Sequence, residues 1–166
     1  MSWKRIIGVL FTAAVAFGTG TAPAHAQSGT ATVNYEVQAI TLLTLSGSAT
    51  VTITTGTAGT GLTDVTDSSG VTYSITNNAG ADSKKLIGSI DTAMPANTTL
   101  SAAVTAPTGG TSAGFVALTT SDQDLVTGID NVAESSIAMS FKLHATVAAG
   151  IVASDSKTFT MTVVAN

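Results

Sequence analysis

The sequence predicts an all-β chain, an antiparallel sandwich of about seven to nine strands. Three observations carry that expectation. Apolar and polar residues alternate with period 2 in stretch after stretch, the pattern of a strand with one buried face. Turn residues (Gly, Pro, Asn, Ser) punctuate those stretches at the short intervals of a sandwich or barrel. Thr supplies 27 of the residues from 27 to 166, and β-branched residues suit a pleated surface. Long charged side chains are scarce, and no stretch beyond residue 26 shows a 3.6-residue apolar stripe.

Taken in order, TATVNYEVQAI (residues 30–40) sets Ala31, Val33, Tyr35, Val37 and Ala39 against Thr32, Asn34, Glu36 and Gln38. TLLTLSG continues it, and ATVTITT follows with Val51 and Ile53 on one face. GTAGTG (56–61) is a loop by composition, and LTDVTDSSG is expected to be a short edge or turn segment. VTYSITNN puts Val71, Tyr73 and Ile75 inward before the turn signal NNAG. KKLIGSIDT carries Leu86, Gly88 and Ile90 on one face, MPAN turns the chain, and TTLSAAVTAP carries Leu100, Ala102 and Val104. GFVALTT and DLVTGI are shorter strands, and VAESS (132–136) reads as one turn of helix at most. SIAMSFKLHATV aligns Ile137, Met139, Phe141, Leu143, Ala145 and Val147, and KTFTMTVVA aligns Phe159, Met161 and Val163. An outer-membrane barrel also alternates, but it needs aromatic girdles and strands of 9 to 11 residues. Residues 27–166 offer only Phe115, Phe141, Phe159, Tyr35 and Tyr73.

Residues 1–26 have the form of an export signal: Lys4 and Arg5, the apolar run from Ile6 to Phe17, then the A-x-A site Ala24-His25-Ala26. The run is shorter than the roughly 20 residues of a bilayer span. Cleavage before Gln27 is expected to leave a single β-sandwich domain, residues 27–166, secreted or at the cell surface. If the cell has an outer membrane, the route passes through the periplasm. No membrane span would remain. The chain has no cysteine, so stability rests on sheet hydrogen bonding and packing, with assembly as a further source.

The exported part keeps Lys84, Lys85, Lys142 and Lys157 against ten carboxylates. With no Arg and no basic cluster it lacks the cationic footprint that phosphate backbones require, so nucleic acid is an unsuitable partner. His144 stands on the polar face of its strand with Ser140 and Lys142, and no G-x-S-x-G turn accompanies it. One His without Cys makes a poor zinc ligand set. A paired-carboxylate glycosidase is formally available through Asp122 or Asp130, yet sugar clefts use aromatic platforms, and the exported part has no Trp. Tyr35 and Tyr73 keep a sugar-binding reading open. The Asn97-Thr98-Thr99 triplet matches an N-glycosylation acceptor. The expectation is a non-enzymatic protein with no catalytic residues and no cofactor. Calcium is the one candidate ligand, through Asp122, Asp124, Asp130 and Glu134, because a hard cation wants several oxygen ligands. That stretch lacks the D-x-[DN]-x-[DN]-G spacing. Asp is also an ordinary turn residue, and the pair Asp64 and Asp67 invites the same plain reading.

The signal, TATVNYEVQAI close behind it, the Thr/Gly/Ala-rich middle and the closing strands SIAMSFKLHATV and KTFTMTVVAN resemble the layout of secreted bacterial immunoglobulin-like sandwiches, including pilin-like and coat-type fibre subunits. The resemblance lies in pattern and includes no diagnostic motif, and the cysteine pair of chaperone-assembled pilins is missing. It implies an extracellular structural role, a fibre or matrix subunit whose N-terminal strand completes a sheet by β-augmentation. Val33, Tyr35 and Val37 are then the assembly residues, and self-association is the expected partnership. Two outcomes stand open for that strand: closure of its own domain, or exchange between molecules. The alternative function is a binding or adhesion module that recognises a polysaccharide or cell surface through its loops.

Overall fold

The computed structural model describes residues 27–80 and 83–166; the predicted export signal lies outside the described residues. The chain divides into two units, residues 1–36 and residues 37–166, and every strand among the described residues belongs to the second. In the first, residues 27–36 are exposed and form no strand.

Eleven strands follow: β1 (Thr41–Gly47), β2 (Gly56–Thr57), β3 (Gly61–Leu62), β4 (Val65–Asn77), β5 (Lys84–Ile90), β6 (Thr98–Val104), β7 (Thr111–Ser112), β8 (Phe115–Ala117), β9 (Gln123–Ile129), β10 (Val132–Ala145) and β11 (Phe159–Ala165). They build one sheet in the order β1-β4-β10-β6-β8 and a second in the order β11-β5-β9-β7, while β2 and β3 form a small hairpin. Every pairing is antiparallel. The fold is therefore all-β, two antiparallel sheets with the core between them, as the alternation predicts. No helix among the described residues is long and apolar enough to cross a membrane.

The core draws on both sheets. From the first come Val71, Tyr73, Ile75, Ala102, Val104, Met139 and Phe141, and from the second Leu86, Ile90, Leu125, Val126 and Ile129, all buried. Phe141 meets Phe159 edge-on across the gap, ring centroids 5.3 Å apart at 79°, a favoured aromatic geometry. Polar groups inside are paired. Tyr73 donates its hydroxyl to the Thr105 carbonyl at 2.6 Å. Buried Asn77 accepts from Thr41 Oγ1 and donates to the Asp130 carbonyl, each at 2.8 Å.

Five expectations need correction, the fifth being LTDVTDSSG, taken up below. Residues 30–40 are not a strand: among the described residues no strand pairs with them, and only Asn78, just past β4, bonds Gln38 and Ile40. Residues 49–55 alternate just as well and again form no strand; Thr50 donates its amide to the Asp67 carboxylate at 2.8 Å instead of to a ladder. VAESS is not helical: Val132, Ala133 and Glu134 open β10 and pair with Asn77, Thr76 and Ile75. Val147 does not continue the inward row of β10; that strand ends at Ala145, and Val147 stands exposed in a short 3-10 turn, Val147–Ala149.

LTDVTDSSG supplies half of a long strand, β4, whose turn-like composition has a steric cause. A Cβ on Gly70 would fall 1.9 Å from the Ser48 carbonyl oxygen, and one on Gly47 would fall 1.8 Å from that of Gly70. Two backbones cross there with no room for a side chain, and Gly47 also has a positive φ of 97°.

Candidate functional site

The most unusual feature is where the core stops being covered. On β1, Leu43 sits opposite Ile75 and Leu45 opposite Tyr73, so both leucines point to the core face. Ile75 and Tyr73 are each 1 % exposed, whereas Leu43 is half-buried and Leu45 is 37 % exposed. On β11, Phe159, Met161 and Val163 sit opposite Ile90, Gly88 and Leu86. Those three β5 residues are buried and their β11 counterparts are only half-buried. Strands β1 and β11 approach one another across the sandwich, and each is the outer strand of its sheet. The same flank is thus open from both sheets.

That open flank runs into a cavity of about 1150 Å³ at the Gly47 end of β1 and the Phe159 end of β11. Leu45, Val71, Leu100, Phe141 and Phe159 line it. Two strandless segments flank it, 48–55 from the β1 side and 149–158 from the β11 side. Ile151 and Val152 are exposed at its rim. Beside β11 no strand pairs the edge away from β5 among the described residues, which leaves a row of backbone donors and acceptors available to an added strand.

The segment singled out from the sequence pairs with no strand among the described residues. Val33, Tyr35 and Val37 are 80 %, 92 % and 82 % exposed, far above what apolar side chains in an alternating row ordinarily show. Just after it the chain is held. Asn78 donates its amide to the Ile40 carbonyl at 3.1 Å and its side-chain nitrogen to the Gln38 carbonyl at 3.0 Å, and its Oδ1 accepts from the Ile40 amide. These bonds extend the β1–β4 ladder past Thr41, so residues 38–40 leave the sheet in line with β1.

The acidic candidates are not gathered. Asp124 pairs with Lys85 at 2.9 Å. Glu134 accepts the Thr108 amide at 2.9 Å, and hydrogen bonds from Thr108 lower its pKa. Asp130 gives its backbone carbonyl to Asn77, and Asp122 lies exposed before β9. No group of three or more His, Cys, Asp or Glu among the described residues is arranged to hold a metal ion. Asp67 is a turn and crossing residue: amides of Ser69 and Thr50 bond its carboxylate and lower its pKa.

His144 is exposed on β10, and its Nδ1 lies 2.7 Å from Asp64 Oδ1. A partner 80 residues away could not be read from local pattern. Thr99 is the cross-strand neighbour of His144 on β6, and no hydroxyl hydrogen-bonds the ring among the described residues. Tyr73 is buried, burial pushes its phenol pKa upward, and it offers no stacking face to a sugar. Asn97 sits in the turn before β6 at φ 63°, its side-chain nitrogen 3.3 Å from the Ala148 carbonyl. Comparison with protein-family models, curated proteins and solved structures finds no match.

Proposed function

We propose that the protein is a secreted, non-enzymatic structural subunit of an extracellular assembly, a fibre or matrix component whose sandwich is completed by an added strand. One observation carries this reading: the half-covered core between β1 and β11, next to the free edge of β11.

The strand order says what is missing. An immunoglobulin-type sandwich places strands A-B-E-D in one sheet and C-F-G in the other. Here β1-β4-β10-β6 follows the first set, and β5 and β11 follow C and F. The place of G, beside β11 and over β1, has no strand among the described residues. That likeness supports the fibre-subunit resemblance noted in the sequence, in which strands are supplied between molecules. The chain has no cysteine, so no disulfide holds the open flank shut, and an inserted strand is one physical means of sealing it.

Light scattering and electron microscopy of the purified protein from residue 27 test the proposal. Concentration-dependent growth into filaments or a matrix is the expected result. A protein that stays monomeric at high concentration and binds a glycan array through its loops would replace this reading with the adhesion module.

A further inference from the structure

We infer that the cavity between the two strandless segments is a binding site for an uncharged apolar molecule, of the class of long-chain alcohols and acylglycerols, taken up beneath residues 48–55. The inference goes beyond assembly and does not depend on it. It concerns the mouth at the Gly47 end of β1 and leaves the free edge of β11 as it is.

The cavity has the room and the surface for such a ligand. Its volume of about 1150 Å³ exceeds the roughly 300–1000 Å³ of ordinary small-molecule sites. Leu45, Val71, Leu100, Phe141 and Phe159 give it an apolar floor. Side chains that face a void lose the dispersion contacts a packed neighbour would supply, and an apolar recess accepts apolar molecules in preference to water.

The charge of the lining selects among apolar molecules. Among the described residues Asp155 and Lys157 are the only ionisable groups along it, and they neutralise each other at 2.8 Å. Lys157 donates further to Thr92 Oγ1 at 2.9 Å, and Asp155 accepts the Ser156 amide at 2.8 Å. A carboxylate or phosphate head would therefore meet no unpaired cation on the lining, and an ammonium head no unpaired carboxylate. Hydroxyls are present instead, at Ser48, Ser154 and Ser156, and these suit an alcohol or ester head.

The segment over the mouth is built as a cover. Ala49, Val51 and Ile53 are half-buried while Thr50, Thr52 and Thr54 are exposed, so the alternation of ATVTITT presents an apolar row to the cavity without joining a sheet. The cover is tethered at its ends. Thr50 donates its amide to Asp67 at 2.8 Å, Thr63 donates to the Thr55 carbonyl at 3.0 Å, and Asp64 pairs with His144 at 2.7 Å. No hydrogen bond holds residues 51–54 among the described residues. That stretch can lift without breaking a ladder, and a bound chain would pack against Val51 and Ile53 from below. Ile151 and Val152, exposed at the rim, supply a second wall.

Displacement of the uncharged fluorophore N-phenyl-1-naphthylamine tests this on the protein from residue 27, at a dilution where light scattering reports monomer. Across 1-octanol, 1-decanol and 1-dodecanol, affinity is expected to tighten about fourfold per added methylene, and each alcohol is expected to raise the melting temperature. Decanoate and decyltrimethylammonium are expected to bind at least tenfold more weakly than 1-decanol. Affinity that ignores chain length, or ionic decyl compounds that match the alcohol, overturns the inference.

Two variants locate the site. Ala49→Trp fills the recess from the cover and is expected to weaken 1-decanol binding at least tenfold with circular dichroism unchanged; should it not fold, Leu45→Asp sets an unpaired carboxylate in the floor and is expected to do the same. Phe115→Ser removes an exposed aromatic of β8 outside the cavity and is expected to leave binding as it was. Unaltered binding in the cavity variant, or an equal loss from Phe115→Ser, would mean adsorption to the general surface and overturn the assignment.

Discussion

The two flanks of the sandwich are built from similar residues and end in different states. Where β4, β10 and β6 face β5 and β9, the inward side chains are sealed: Leu86, Ala102, Leu125, Val126 and Ile129 are all at 0 % exposure. Where β1 faces β11, leucine, phenylalanine, methionine and valine point the same way and remain half-covered. Apolar residues do not themselves close a core. Closure takes a neighbour on each side of every strand, and the β1–β11 flank lacks one.

Substitutions can break or sharpen that contrast. The largest effect is expected at Gly70→Ala, where the new Cβ collides with the Ser48 carbonyl and the β1–β4 crossing has to open; a loss on the order of 4 kcal/mol is expected in urea titrations. Leu125→Ala, deep in the sealed flank, is expected to cost about 2–5 kcal/mol by the same measurement. Tyr73→Phe removes the bond to the Thr105 carbonyl, with an expected loss of about 1–2 kcal/mol. Leu45→Ala, on the open flank, is expected to cost the monomer only about 1 kcal/mol. If the flank is sealed on assembly, its cost measured on the assembled protein rises toward that of Leu125→Ala, and equal costs in both states would erase the contrast.

The smallest effect is on acid stability. Hydrogen bonds hold the Asp67, Glu134 and Asp155 carboxyls below their ordinary pKa values. Their contribution is full above the ordinary carboxylate range, about pH 4, and is lost as pH falls through the lowered folded values. Asp67→Asn is expected to flatten part of that slope in a melting-temperature series from pH 5 to pH 2, and to loosen residues 48–50.

The sequence made the strands legible wherever alternation coincided with a partner. Ile137 to Ala145 and Phe159 to Val163 face inward as their spacing predicts. Alternation encodes a face and carries no information about a neighbour, which is why residues 30–40 and 49–55 read as strands and are not. The start of β10 was hidden by an irregularity: the register shifts between Glu134 and Ile137, and Ser136 has φ 57°. A bulge of that kind breaks period 2 and mimics a helical turn. In β4 the Asp, Ser and Gly of 67–70 serve a carboxylate cap and a backbone crossing, so a strand carries the composition of a loop. The open flank could not be foreseen, since it depends on which strand ends each sheet.

The ladder between β1 and β4 carries a mechanical consequence. Seven consecutive residue pairs, Thr41 with Asn77 through Gly47 with Val71, join the two strands, and the chain leaves along the axis of β1. A pull on the N-terminal segment therefore acts lengthwise on all seven pairs together. Bonds strained in shear share the force and yield as a group, whereas bonds peeled from one end fail singly. A chain of such subunits would meet tension with its most resistant geometry at each N-terminal stem.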